Sequence, residues 1–177
     1  TTKREFGGAR SYEFSLFSEF ASKVEGIDYA MKHLKEWMKP EKRKTNKPMN
    51  FLGGKSQVRH FPKGVVGIIS PWNLPFGLTV APLTGALAAG NRAILKPSEF
   101  VPETAALFAE IIPKYFSEDE VAVVTGGADI SQRFAELPFD HLLFTGSSNI
   151  GAKVMQSASK NLVPVTLELG GKSPVII

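Results

Sequence analysis

The sequence contains no cysteine, and this absence excludes disulfide bonds and cysteine-ligated metals. Its three histidines are scattered and form no metal-ligand pattern. No apolar run approaches the roughly 20 residues that a helix needs to cross a bilayer, and no secretory signal peptide is visible. We therefore expect a cytoplasmic protein with neither a membrane span nor a bound metal.

With 177 residues, the chain is long enough for one domain with a buried core. Its 43% hydrophobic and 21% charged residues are typical of a soluble globular protein. Much of the net charge of +4 comes from residues 39–47. A basic run can bind nucleic acid or an anionic membrane, but no aromatic residue interrupts this one, as stacking on a single strand would need. We interpret it as a solvated connector and expect no nucleic acid partner.

Both ends of the chain point to a longer parent protein. The chain begins at Thr1 without an initiator methionine and ends in the apolar stretch Pro174-Val175-Ile176-Ile177. This ending is interpreted as part of a buried strand, because it is β-branched and no turn or polar cap follows it. Natural chains rarely stop inside such a strand, so we expect a fragment.

Residues 1–62 are predicted to form N-terminal helices followed by a β segment. Apolar residues recur at helical spacing up to about residue 38, where Pro40 and the basic run end the pattern. Residues 49–52 and 57–61 are predicted strands, with Gly53-Gly54 as the turn between them.

From Gly64 onwards, short apolar strands alternate with helices. The predicted strands are 65–69, 93–95, 121–124, 141–144 and 163–168, and the predicted helices are 78–89, 103–115, 131–136 and 150–158. This alternation predicts an α/β fold with a parallel sheet and helices on both faces over residues 63–177. Ligands of such sheets bind beyond the carboxyl ends of the strands, so the residues that follow each strand are the candidate site.

A stiff loop follows the first of these strands. Pro71 and Pro75 bracket Asn73, and proline restricts both its own backbone and that of the preceding residue. A rigid loop can hold the Asn73 amide as a donor for an oxyanion. The alternative is a rigid turn in which Asn73 satisfies local backbone groups.

The second strand is followed by Lys96-Pro97-Ser98-Glu99. Lys96 and Glu99 could grip a ribose and its phosphate, and Glu99 would repel a 2′-phosphate, which favours NAD over NADP. The alternative is an ordinary strand-to-helix turn with an exposed salt bridge.

The fourth strand leads through Thr145-Gly146-Ser147 to a helix, with Ile150-Gly151 beyond. The amide groups of a helix N-terminus suit a pyrophosphate, and glycine allows its close approach. Taken alone, the Gly-x-x-x-x-Gly spacing favours a simple helix-capping turn.

The fifth strand ends at Glu168-Leu169-Gly170-Gly171-Lys172. Partial burial of Glu168 would raise its pKa toward neutrality, which suits a general base. Pairing with Lys172 or Lys96 is the alternative.

Together these motifs resemble the aldehyde dehydrogenase superfamily in order and spacing. The motifs are Pro71-Trp72-Asn73, Lys96-Pro97-Ser98-Glu99, Phe144-Thr145-Gly146-Ser147 and Leu167-Glu168-Leu169-Gly170-Gly171-Lys172. The short passage from Val124-Thr125-Gly126-Gly127 to Phe139-Asp140-His141 resembles the class 3 branch. Within that branch, Trp37-Met38-Lys39-Pro40 and residues 64–73 are most similar to coniferyl aldehyde dehydrogenases.

The resemblance implies a Rossmann-like nicotinamide-binding domain and a role for each motif. Asn73 would donate to the oxyanion and Glu168 would act as the general base. Lys96 and Glu99 would hold the adenosine ribose, Gly146 and Ser147 the pyrophosphate, Ile150 the adenine, and Leu169 and Gly170 the nicotinamide. The implied cofactor-binding residues are Ile69, Ser70, Pro71, Trp72, Lys96, Ser98, Glu99, Gly126, Gly146, Ser147, Ile150, Leu169 and Gly170. The cofactor would be NAD, with NADP as the alternative, and the substrate a small, aromatic aldehyde.

The resemblance also implies what the chain lacks. The nucleophilic cysteine of the family lies beyond Glu168 in a second domain, and this chain holds no cysteine. We expect the chain alone to be inactive, to bind cofactor weakly and to expose apolar surface. The segment near residues 49–63 would correspond to the strands with which the family forms homodimers or larger homo-oligomers.

Two further functions stay open at this point. An acylating relative would release its product to coenzyme A, although such relatives usually lack the base that Glu168 resembles. A non-catalytic nucleotide-binding protein that ends at Ile177 is the other alternative, which the mass of the native protein would test.

Overall fold

The computed structural model describes residues 2–176 and contains an N-terminal helical segment, a two-stranded ribbon and a five-stranded parallel sheet. The helices are α1 (Thr2–Glu5), α2 (Tyr12–Ser15), α3 (Ser22–Trp37), α4 (Gly77–Ala88), α5 (Pro102–Tyr115), α6 (Ala128–Ala135) and α7 (Ser148–Ser159). The strands are β1 (Glu41–Arg43), β2 (Ser56–Val58), β3 (Val65–Ile69), β4 (Arg92–Lys96), β5 (Val121–Val123), β6 (His141–Gly146) and β7 (Val165–Leu169). Across residues 2–176, none of the helices combines the length and the apolar character needed to span a bilayer.

The large sheet has the strand order β5-β4-β3-β6-β7, and every neighbouring pair is parallel. This confirms the predicted α/β fold. The predicted strands and helices from residue 65 onwards are present, with ends that differ by at most three residues. The chain leaves β3 toward β4 on one side and later returns to place β6 on the other side. Such a reversal opens a crevice at the carboxyl ends of the strands.

Helices cover the sheet on both faces because alternate residues of each strand point to opposite faces. One core packs α4 and α5 on the sheet, and its buried residues are Val66, Ile68, Leu83, Ala86, Ala93, Leu95, Phe108, Ile112 and Val121. The other packs α6 and α7, and its buried residues are Ile69, Phe134, Ala135, Phe139, Leu142, Phe144, Val154, Ala158 and Val163. Ile68, Leu95 and Leu142 are fully buried, and each such side chain stabilises the fold by about 1.5–3 kcal/mol. The sheet therefore gives the crevice a rigid floor.

Local chemistry fixes where the helices beside the crevice begin and end. Gly90 follows α4 with φ +78°, a left-handed conformation that suits glycine. Its N–H donates to the carbonyl of Leu87 at 2.9 Å, and the N–H of Asn91 donates to that of Ala86 at 2.9 Å. At the start of α5, Pro102 occupies the first turn, where a missing N–H costs nothing.

The N-terminal helical segment is interrupted, whereas the sequence predicted helix up to about residue 38. Residues 6–11 lie outside any helix. Ser11 restarts the helix as an N-cap, because its hydroxyl accepts from the N–H of Phe14 at 3.1 Å. A π-helical stretch, Leu16–Ala21, then joins α2 to α3.

The β segment after α3 differs from the prediction. Residues 49–53 form turns, and the partner of β2 is instead β1, which pairs Glu41 with Val58 and Arg43 with Ser56 in antiparallel register. The interpretation of the basic run as a mere connector was therefore wrong for Glu41–Arg43, although these residues are exposed. Their low β propensity is overcome by pairing with β2 and by the contact of His60 Nε2 with the Glu41 carboxylate at 3.0 Å.

The chain end also differs from the prediction of a buried strand. Residues 170–176 have no regular secondary structure, and Val175 and Ile176 are 80% and 99% exposed. Ile177 lies outside the described residues. The apolar, β-branched composition predicted a strand, but none of the sheet strands runs alongside this stretch to pair with it.

Candidate functional site

A cleft of about 1230 Å³ lies at the carboxyl ends of β3, β4, β6 and β7. The candidate residues that line it are Ile69, Ser70, Pro71, Trp72, Asn73, Lys96, Ser98, Glu99, Gly146, Ser147, Ile150, Glu168, Leu169 and Gly170. A smaller groove of about 430 Å³ between α3, α4 and α5 is lined almost wholly by apolar side chains. Because a ligand site needs polar groups that orient its ligand, we assign the candidate site to the cleft.

The loop after β3 holds Asn73 through contacts made by its neighbours. The Thr79 hydroxyl donates to the carbonyl of Pro75 at 2.6 Å and lies 2.6 Å from the buried hydroxyl of Ser70. The N–H of Ser70 donates to the carbonyl of Lys96 at 3.2 Å, which ties the loop to β4. These bonds add to the stiffness that the two prolines impose.

The side chain of Asn73 is exposed on the cleft and makes no hydrogen bond within residues 4–176. Its carbonyl accepts from the Arg10 guanidinium, so it is the backbone of Asn73 that is held. The alternative in which the Asn73 amide satisfies local backbone groups is therefore wrong. The amide is free to donate to a molecule in the cleft.

The side chain of Lys96 is fully buried beneath the cleft. Its Nζ donates to the carbonyl of Pro97 at 2.8 Å, the single partner that the hydrogen bonds of residues 4–176 give it. Burial lowers the pKa of Lys96, and the charges of Glu99 and Asp129 offset part of this effect. An ammonium group has three donors, so two N–H groups remain for a ligand.

Glu99 is exposed at the rim of the cleft, and the exposed salt bridge considered as an alternative is absent from the described residues. Between Lys96 and Glu99, the buried hydroxyl of Ser98 accepts from the N–H of Phe100 at 3.3 Å. The turn thus separates a buried cation from an exposed carboxylate. With this arrangement, Lys96 can bind the phosphate of a nucleotide while Glu99 accepts from the hydroxyl groups of its ribose.

The turn after β6 caps α7, as its spacing indicated. The Ser147 hydroxyl accepts from the N–H of Ile150 at 3.4 Å. A Cβ at Gly146 would lie 2.5 Å from the Phe144 ring, and one at Gly151 would lie 2.8 Å from Leu169. Packing against the buried Phe144 ring thus favours glycine at position 146, whereas the exposed end of Leu169 can move to admit a side chain at position 151. The turn nevertheless lines the cleft and places the N-terminus of α7 there.

Glu168 lies in β7, opposite Thr145 in the register with β6. Partial burial of this carboxylate was the condition for a raised pKa, and the side chain is instead exposed on the cleft. The edge position explains the exposure, because within residues 2–176 β7 has β6 as its single neighbour in the sheet. Pairing with Lys96 or Lys172 is also absent from the ion pairs of the described residues.

Gly126 is the one candidate residue that does not line the cleft. Its φ of +138° and the position of Ile130, 2.7 Å from a Cβ placed there, account for glycine without a ligand. The role in cofactor binding predicted for Gly126 stays a prediction.

Sequence reasoning missed the helical wall of the cleft. This wall includes Ser131 and Gln132 of α6 and Lys153, Gln156 and Ser157 of α7. In α7, Gln156 and Ser157 follow Lys153 by three and four residues, which places these side chains on one helix face. Polar residues recurring at this spacing beside an apolar face were the signal that could have identified them.

Comparisons with known proteins agree with this geometry. The sequence pattern described as the aldehyde dehydrogenase family matches residues 7–177. A probable coniferyl aldehyde dehydrogenase from Caulobacter vibrioides is 52% identical over 171 residues, which are 96% of this chain and 35% of the relative. Family 3 aldehyde dehydrogenases are also among the relatives, at 42% or 43% identity.

Solved structures share the fold. The structure of Staphylococcus aureus AldH aligns with this chain at a TM-score of 0.86 and 44% sequence identity. The alignment covers 90% of this chain and 34% of the AldH chain. Mycobacterium tuberculosis aldehyde dehydrogenase complexed with NAD+ aligns at a TM-score of 0.77 and 34% sequence identity. This alignment covers 90% of this chain and 32% of the M. tuberculosis chain. The chain spans about a third of the length of these relatives. The resemblance to class 3 and coniferyl aldehyde dehydrogenases is therefore confirmed, and the chain belongs to the aldehyde dehydrogenase family.

Proposed function

We propose that the intact protein containing this chain oxidises an aldehyde to a carboxylic acid with a nicotinamide cofactor. One observation carries the proposal. The Asn73 amide, which has no hydrogen-bond partner among residues 4–176, and the exposed carboxylate of Glu168 line the same cleft as the buried Lys96. Oxyanion donor, base and cofactor anchor are thus brought together from strands that are far apart in the sequence.

Asn73 and Glu168 have complementary roles in this proposal. The nucleophile comes from outside the chain, since the chain has no cysteine. After attack on the aldehyde, the Asn73 amide donates to the oxyanion, and removal of such a donor typically slows a reaction about 100- to 1000-fold. Glu168 accepts a proton from water, which then attacks the enzyme-bound acyl group to release the acid.

The cleft fits a dinucleotide cofactor. Lys96 has spare donors for the ribose, Glu99 can accept from its hydroxyl groups, and the N-terminus of α7 suits the pyrophosphate. Leu169 and Gly170 line the same cleft and are proposed to contact the nicotinamide. When bound, the cofactor supplies the hydride acceptor. The NAD+ complex of the Mycobacterium tuberculosis relative supports this assignment, and Glu99 favours NAD over NADP.

An aromatic aldehyde similar to coniferyl aldehyde is the proposed substrate. Support comes from the Caulobacter vibrioides relative, whose name specifies that substrate and which is 52% identical. Purified intact protein should reduce NAD in the presence of coniferyl aldehyde, as followed by absorbance. A strict requirement for coenzyme A would instead identify an acylating enzyme.

Substitution of Glu168 tests its role directly. In the intact enzyme, Glu168→Gln should lower turnover about 100-fold or more, because a general base is lost. The matched control is Glu110→Gln, which removes an exposed carboxylate on α5 that pairs with Lys114 at 2.6 Å, away from the cleft. Normal turnover in the Glu168 variant would refute the role of general base.

We further propose that the β1–β2 ribbon contributes to a homodimer or larger homo-oligomer. Within the described residues, β1 and β2 pair with each other alone, so both edges of the ribbon present free backbone groups. Sedimentation of the intact protein and of a variant with proline at Gln57 tests this, and an unchanged assembly would contradict it.

A further inference from the structure

Arg10 connects the N-terminal helical segment to the loop that carries Asn73. One guanidinium nitrogen donates to the Glu19 carboxylate at 2.9 Å, and the other donates to the backbone carbonyl of Asn73. The guanidinium carbon lies 3.8 Å from the centre of the Phe6 ring, which fixes its plane. The side chain of Arg10 is 14% exposed; its bond to Glu19 is partly buried, whereas its bond to the Asn73 carbonyl lies at the surface.

Glu19 anchors this contact from beneath. Its side chain is fully buried, and its second oxygen accepts from the N–H of Phe76 at 2.8 Å and from that of Gly77 at 3.3 Å. These N–H groups belong to the start of α4, which has no side-chain cap of its own. A buried carboxylate is tolerated when donors of this kind surround it. Glu19 thereby binds the end of the loop at Phe76. It also binds Arg10, which contacts the middle of the loop at Asn73.

The bond from Arg10 constrains the geometry that matters for an oxyanion donor. A fixed carbonyl at Asn73 fixes the peptide plane that follows it, and the allowed directions of a side chain depend on its backbone angles. The Asn73 amide itself makes no hydrogen bond within residues 4–176. A movement of the Asn73 backbone therefore changes the positions that the amide can reach, and a displacement of about 1 Å can cost about 100-fold in rate.

We infer that Arg10 is a positioning residue that orients the Asn73 amide toward the reacting oxygen, an inference that rests on the proposed function. Arg10 lies 63 residues before Asn73 and does not line the cleft. It acts through the backbone of Asn73 and touches neither substrate nor cofactor. Charge alone is insufficient for this role, because the guanidinium serves two acceptors through a planar fork.

A double-mutant cycle in the intact enzyme tests the inference. Asn73→Ala should lower kcat/KM for the aldehyde about 100-fold or more, and Arg10→Ala should lower it about 10-fold. The kcat/KM of the double variant should lie within about twofold of that of Asn73→Ala, because loss of Arg10 cannot misplace an amide that is already absent. The KM for the cofactor should change less than about twofold in Arg10→Ala. Losses that multiply in the double variant would overturn the inference.

Two further variants separate positioning from folding. Arg4→Ala is the control, since Arg4 also comes from the N-terminal segment but is 77% exposed and pairs with Glu103 at 3.0 Å; it should retain normal kcat/KM. If Arg10→Ala fails to fold, the cycle is repeated with Arg10→Lys, which keeps the charge beside Glu19 but lacks the fork. Multiplying losses with lysine would likewise overturn the inference.

The unsubstituted enzyme distinguishes the two proposals. If it does not oxidise aldehydes, the proposed function fails and this inference fails with it. If it is active and Asn73→Ala is slow while Arg10→Ala matches the unsubstituted enzyme, the inference about Arg10 alone is refuted.

Discussion

The Glu5 carboxylate accepts a hydrogen bond from the N–H of Thr104 at 2.8 Å and a second one from the Thr104 hydroxyl. Thr104 lies in the first turn of α5, whose flanking residue Val101 provides no side-chain cap. The cap of this helix therefore comes from α1, 99 residues earlier in the chain.

Loss of this cap should destabilise the chain. We expect Glu5→Ala to lower the free energy of unfolding by about 1–2 kcal/mol, since it leaves an N–H and a hydroxyl of Thr104 unpaired. Urea denaturation of the 177-residue chain measures the change. Glu25→Ala, which removes an exposed carboxylate from α3, should shift stability by less than about 0.5 kcal/mol. Equal stability of the two variants would contradict the capping role.

Lys96 should make stability depend on pH in the alkaline range. Burial lowers its pKa in the folded chain below the usual lysine value, which is about 10.4. Between the two values the unfolded chain binds more protons than the folded chain, so stability rises with pH through that interval. Below both values the cost of burying the charge is present in full.

The variant Lys96→Met should remove that rise. At neutral pH it should be more stable than the original chain by about 1 kcal/mol or more, because a buried charge is replaced by an apolar group of similar length. Urea midpoints between about pH 7 and pH 10 give the comparison, with Lys32→Met on the exposed side of α3 as the control. A neutral-pH stability below that of the original chain would show that the charge is compensated.

Glu99 should control the choice between the two nicotinamide cofactors. In the intact enzyme, Glu99→Gln should raise the ratio of kcat/KM with NADP to kcat/KM with NAD by about 10-fold or more. The carboxylate that repels a 2′-phosphate is lost, and a repulsion of this size is ordinary for charges about 4 Å apart near a surface. Glu118→Gln is the control, because Glu118 is exposed and does not line the cleft. An unchanged ratio would place the 2′ position away from Glu99.

The isolated 177-residue chain should show no dehydrogenase turnover, since it contains no thiol that could attack an aldehyde. Binding of NAD should be weaker than micromolar, as measured by calorimetry, because the cleft is open along the edge formed by β7. The intact protein in the same assays provides the control. Micromolar binding by the isolated chain would mean that residues 1–177 suffice to hold the cofactor.

The sheet and the cleft could be predicted because their signals are local. The continuous apolar run Val65–Ile69 is typical of a central strand buried on both faces, because it is short and rich in β-branched residues. Parallel strands then bring Asn73, Lys96 and Glu168 to one edge without any knowledge of side-chain contacts. This convergence follows from the geometry of a parallel sheet. Errors of one to three residues in the predicted ends of helices and strands therefore did not affect it.

Other features depend on contacts that sequence patterns do not record. In the sequence, Arg10 and Glu19 resemble any other charged residues of an amphipathic helix, and their partners Asn73 and Phe76 lie 63 and 57 residues away. The strand Glu41–Arg43 has an unfavourable composition and exists because β2 pairs with it. The exposure of Glu168 could not be predicted, because burial depends on what packs against an edge strand and the pattern along that strand does not specify it.

The long-range caps have a consequence for synthesis. Glu5 and Glu19 leave the ribosome before the helices that they cap, and Thr104 follows Glu5 by 99 residues. At about 5–20 residues per second, the first helices wait several seconds or more for their partners. During that interval Phe14, Phe17 and Met31, which are more than half exposed even in the folded chain, have little to pack against. The N-terminal segment therefore stays without these partners until residues 76–104 have been synthesised, and conditions that slow translation would lengthen its exposure to chaperones and proteases.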